Sequence, residues 1–97
     1  MAAMSNFRAL QMTTPDGCTR ARACIDDAER PENSLSMRVD AAILAALQLE
    51  SFATKDPIIA EYLLLKYERP LPDAELEKYL AHALALANTL LSLREQS

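Results

Sequence analysis

Apolar residues recur at helical spacing in three stretches of the chain, with prolines placed between the stretches. In the last stretch Leu76, Leu80, Ala83, Ala87 and Leu90 follow a 4-3-4-3 order, the seam by which one helix packs against another. Tyr79, Leu86 and Leu93 lie to one side of that seam, and Leu84 and Leu91 lie off it again, so this helix is apolar over most of its girth. An earlier stretch sets Val39, Ile43, Ala46, Leu47 and Ala53 on one face, widened by Leu44, Leu49 and Phe52. Between the two, Ile58, Ile59, Tyr62, Leu63, Leu64, Leu65 and Tyr67 fall within ten positions. A helix that is apolar all round must be buried on more than one side.

The boundaries follow from capping chemistry. Thr14-Pro15-Asp16 reads as an N-cap, a first-turn proline and a carboxylate at the positive end of the helix dipole. That helix is predicted over Pro15–Glu29, stopping before Pro31 because the residue ahead of a proline avoids helical geometry. After the Pro31–Ser34 turn, Asn33, Ser34 or Ser36 can cap a second helix running to about Thr54. Asp56-Pro57 repeats the cap-plus-proline signal for a short helix to Glu68. Arg69-Pro70-Leu71-Pro72 is a stiff extended break. Pro72-Asp73, with Glu75 and Glu77 in the first turn, opens the last helix, which can run to Glu95 and span about 34 Å. Met4, Phe7 and Leu10 form only a weak stripe without a cap, so residues 1–13 are expected to be a flexible arm and 14–97 a single helical domain.

Composition strengthens the helical reading. The apolar mass is mainly Ala and Leu, and the aromatics are Phe7, Phe52, Tyr62, Tyr67 and Tyr79. Gly17 is the only glycine, whereas an all-β domain needs many turns with positive φ. The expected fold is an all-α bundle of about four helices, the last three forming the core. A chain of 97 residues makes a thin core, and three helices this apolar have too few partners within it. The surplus exceeds what soluble monomers usually expose, which predicts a homodimer or a standing interface with another protein.

Charge and cysteines narrow the setting. Residues 1–38 hold five Arg and five acids, while residues 39–97 hold five bases and nine acids, which gives the net −4. An acidic chain repels a phosphate backbone, so nucleic acid is not an expected partner. Cys18 and Cys24, six residues apart, point to different faces of a helix, and two thiols that cannot easily pair fit a cytoplasmic setting. Met1–Leu10 lacks the basic start and apolar run of a signal peptide. The apolar stretch Tyr79–Leu93 is interrupted by His82, Asn88, Thr89 and Ser92 and is too short for a bilayer, so no membrane association is expected.

Catalytic signals are sparse. His82 is the only histidine, and no carboxylate at helical spacing orients its ring. Zinc would need more Cys or His ligands than the chain has. Asp26, Asp27 and Glu29 lack EF-hand spacing, and one glycine cannot build a phosphate loop. Glu75 and Glu77 project to different faces and read as favourable first-turn charges. Cys18, near a helix start with Arg20 and Arg22, is the one candidate for an activated thiol. Arg20, Arg22, Arg30 and Arg38 prompt a helix-turn-helix test, but the helix that follows opens Leu35-Ser36-Met37-Arg38-Val39-Asp40, poor base-reading chemistry.

No cofactor and no metal is therefore expected, and the chain is read as a non-enzymatic protein-binding module. The form expected is a small adaptor or antiactivator-like antagonist that sequesters a regulatory protein, such as a transcriptional regulator, through an apolar helical surface. A secretion or assembly chaperone and a DNA-binding regulator are the alternatives. Leu44, Leu47, Phe52, Tyr62, Leu65 and Tyr67 are the candidate partner or dimer interface. The Arg69–Pro72 corner is expected to hold a groove open between the third and fourth helices.

Overall fold

The computed structural model describes residues 17–96; the Thr14-Pro15-Asp16 cap, the expected N-terminal arm and Ser97 lie outside the described residues. Four α-helices follow in order: α1 (Gly17–Glu29), α2 (Leu35–Leu49), α3 (Pro57–Glu68) and α4 (Asp73–Gln96). A 3₁₀ turn, Ser51–Lys55, lies between α2 and α3. No strand occurs among the described residues. No helix there is long and apolar enough to cross a membrane.

Of the three candidate caps for α2, Ser34 is the one used, its hydroxyl accepting from the Met37 N–H. Asn33 instead donates to the Asp27 carbonyl at 2.9 Å, and Arg38 Nε donates to the Ala28 carbonyl at 2.7 Å. Both bonds go to carbonyls in the last turn of α1, where the Asp27 oxygen also accepts the Arg30 N–H. Arg38 is thus part of the α1–α2 corner, while Arg30 pairs with Asp27 and Arg22 with Glu95.

One boundary and one packing expectation need correction. α2 ends at Leu49, not Thr54: Glu50 is extended, and its carboxylate accepts from the Phe52 N–H to start the 3₁₀ turn. The 3₁₀ turn then carries the chain to Asp56, which caps α3 and, standing before Pro57, is kept out of helical geometry. The buried row of α4 also departs from the seam. It runs Leu76, Leu80, Ala83, Ala87 and then Leu91, with Leu90 half-buried. A straight helix has 3.6 residues per turn, so a strict seven-residue repeat drifts off its face within a few turns.

The larger correction concerns α1, which is part of the core rather than an addition to it. Ala21 and Ala28 are fully buried, and Ile25 nearly so. They pack with Ala42, Ala45 and Ala46 of α2, also fully buried. Alanine contributes little apolar area, but it lets two helix backbones approach closely, and dispersion contacts between them accumulate. Gly17 continues the same surface: a Cβ there would stand 2.7 Å from the Gln48 carbonyl oxygen of α2. One glycine in the chain is therefore a close-approach residue. Two core clusters result, one around Tyr62, Tyr79 and Val39 and the other around Ile25, Leu49 and Leu91, joined through Leu47, Leu84 and Leu86.

Candidate functional site

The sequence offers His82 no carboxylate within helical reach, but the tertiary fold supplies one. Asp56, the N-cap of α3, presents Oδ1 to His82 Nε2 on α4 at 2.8 Å. The same oxygen accepts the backbone N–H groups of Ile58 and Ile59 at 2.9 and 3.1 Å. Partial burial pushes the Asp56 carboxyl up, but the donors from Ile59, His82 and Ile58 together outweigh it and hold the group below the ordinary carboxylate range. An ionised Asp56 therefore closes the start of α3 and ties it to α4. Because the carboxylate accepts, His82 Nε2 carries the proton, and Nδ1 is the ring's remaining polar atom. Cys18 and Cys24 are both half-buried and free. Burial, with help from Asp27, raises the Cys24 thiol, the opposite of what an activated nucleophile needs. Among the described residues no cluster of three metal-ligating side chains occurs.

α3 is held to the bundle by side chains more than by backbone proximity. The α2 and α3 backbones hardly approach each other. Instead the Tyr62 hydroxyl donates to Asp40 Oδ1 of α2 at 2.9 Å, and Lys66 pairs with the other oxygen of the same carboxylate. On the opposite side the Tyr79 hydroxyl of α4 donates to Glu61 of α3 at 2.9 Å. The two tyrosine rings meet at 5.2 Å between centroids, tilted by 52°. Burial and the adjacent carboxylates push both phenols above the usual tyrosine range, Tyr62 the further. Ile59 and Tyr62 are the only fully enclosed side chains of α3.

That attachment leaves one side of α3 uncovered. Tyr67 is 91% exposed and Leu64 64%, with Leu63 exposed beside them. The expectation that α3 is buried on more than one side is not met within a single chain. Of the expected interface residues, Leu44, Phe52 and Tyr67 stand on the surface. Leu47 and Leu65 are half-buried and pack against the core. Tyr62 belongs to the core, where its ring and hydroxyl are both engaged, so it cannot serve as a surface anchor. Leu63 and Leu64, which that set omits, are exposed too, Leu64 more than Leu44 and Leu63 somewhat less. Periodicity alone could not separate the two faces of a helix apolar on both.

A cleft of about 510 Å³ opens at the Arg69–Pro72 corner, where the groove was expected. Tyr62, Lys66 and Tyr67 of α3 line it together with Leu71 and Leu76, and Ser36 of α2 closes its far side. Arg69 at its mouth is paired with Glu75. Cleft and exposed α3 side chains share Tyr67, so the apolar stripe runs into a cleft of mixed lining, with Lys66, Glu68 and Arg69 beside Tyr62, Leu71 and Leu76.

No protein-family model, curated protein or solved structure matches this chain.

Proposed function

We propose that the chain is a non-enzymatic protein-binding module, a small cytoplasmic adaptor or antagonist that sequesters a regulatory protein through its apolar helical surface and associates as a homodimer. The observation that carries the reading is the uncovered side of α3, where Leu63, Leu64 and Tyr67 remain exposed beside a cleft. Soluble proteins keep large apolar side chains scattered, and a contiguous group of them marks an interaction surface. Tyr67, the exposed aromatic at its end, is the residue type that anchors protein interfaces.

Tyr67→Asp and Phe52→Asp test the reading, because both side chains stand outside the core. Leu47 does not serve, since it packs against both core clusters and its replacement would perturb the fold. Wild-type chain retrieved from its native host should carry a stoichiometric protein partner, and light scattering should give more than the monomer mass. At least one variant should lose partner or dimer while keeping its helical circular dichroism. A wild-type chain that is monomeric and retrieves nothing would sink the proposal.

A further inference from the structure

α3 presents two apolar faces. The inner face buries Ile59 and Tyr62. The outer face carries Ala60, Leu63, Leu64 and Tyr67 at positions i, i+3, i+4 and i+7, and all four are exposed. That spacing is the stripe one helix offers to another.

The two edges of the stripe differ in charge. On the α2 side, Lys66 is neutralised by Asp40. On the α4 side, Glu61 and Glu68 are seven residues apart and share one edge. Glu61 accepts the Tyr79 hydroxyl, and neither glutamate is paired with a cation among the described residues. One edge is thus neutral and the other acidic.

We propose that the outer stripe of α3 docks an amphipathic helix of another protein, one that carries Lys or Arg along one edge of its apolar face. The proposal rests on the protein-binding reading above and assigns the α3 face to the partner, leaving self-association to other surfaces. A second copy fits this stripe poorly. An antiparallel two-fold keeps each edge on its own side, so the Glu61–Glu68 edges of the two copies confront each other. A parallel two-fold sets Tyr67 against Tyr67 at one end and Ala60 against Ala60 at the other, a bulge and a gap. A basic edge turns the same carboxylates into an attraction and fixes the direction of docking. Area agrees with a single helix. Leu63, Leu64 and Tyr67 together expose about 400 Å², taking roughly 200 Å² for a fully exposed large side chain. That is about half of the roughly 800 Å² per partner in a standard interface. The adjoining cleft adds to it for a helix lying along α3.

The test uses the full chain and two labelled synthetic peptides of about five helical turns. They share one leucine stripe and differ only in carrying Lys or Glu along its edge. Fluorescence anisotropy should show the Lys-edge peptide binding at least about tenfold more tightly, with the gap closing as salt is raised. Glu68→Lys, at an exposed position, should remove the preference, and Tyr67→Asp should weaken the Lys-edge peptide at least about tenfold. Equal affinity for the two peptides, no binding of either, or indifference to Tyr67→Asp would each overturn the assignment. Conversion of a dimer to a monomer by Tyr67→Asp, without peptide binding, would give the face to a second copy instead. A partner still retrieved from the host in that case leaves the broader protein-binding reading standing. Its absence, with monomer mass throughout, removes both.

Discussion

Asp56 and His82 stand 26 positions apart in sequence and 2.8 Å apart in space, and through that contact the first turn of α3 is fastened to the middle of α4. The carboxylate serves two structural purposes at once, as helix cap and as the acceptor that orients the imidazole. Removing it should therefore do more than remove an ordinary cap.

Asp56→Ala should destabilise the fold by about 1–2 kcal/mol, the upper part of the range for losing a cap, with His82→Leu costing less because the cap itself survives. Asp56→Asn offers the pH test. A carboxyl held below its unfolded value, near 3.9 as in model peptides, contributes stability that is fully present above that pH and lost as pH falls through the lower folded value. Urea unfolding should show a constant gap between wild type and Asp56→Asn from neutral pH to about 5, narrowing below about 4. A gap that widens on acidification would contradict the assigned sign.

Gly17→Ala should destabilise, although helix propensity alone favours alanine by about 1 kcal/mol in a helix interior. The added methyl would meet the Gln48 carbonyl at 2.7 Å, a backbone atom that cannot swing aside. Overpacking of this kind costs about 1–3 kcal/mol, so the net change in denaturation midpoint should be downward.

Ala46→Leu should be worse than Gly17→Ala, because Ala46 is fully buried within the second core cluster. A decrease of about 3 kcal/mol, or failure to fold at this chain length, is expected in thermal unfolding. Exposed Ala81→Leu on α4 should stay within about 0.5 kcal/mol and serves as the control.

Tyr79→Phe should cost about 1 kcal/mol through the lost bond to Glu61. Tyr62→Phe should cost a similar amount, since Asp40 keeps Lys66 as a partner. Hydrogen exchange should speed up in α3 in both variants before it changes in α1, because these hydroxyls fasten α3 to its neighbours across side chains.

Leu64→Glu should leave the unfolding midpoint within about 0.5 kcal/mol while abolishing any interaction made by the outer stripe. A large loss of stability would mean that Leu64 is packed in the monomer, which its 64% exposure argues against.

Local sequence determined most of the elements, but not the end of α2 at Leu49 or the 3₁₀ turn after it. Prolines, caps and the 3.6-residue period are read from neighbours within a turn or two, so the helical class, the α3 start at Pro57 and the corner at Arg69–Pro72 were all legible. Tertiary structure decided what each helix touches. Alanine looks neutral in a pattern, yet Ala21, Ala28, Ala42, Ala45 and Ala46 bring α1 into the core, because close approach depends on what is absent from both facing surfaces. Tyr62 and Tyr67 are the same residue type on one helix. Only the position of Asp40 and of the neighbouring helices makes the first a core residue and the second a surface one. A helix apolar on two faces does not itself say which face turns inward. That choice is made by the hydroxyls and carboxylates of α2 and α4, which must find partners before their apolar surroundings can close.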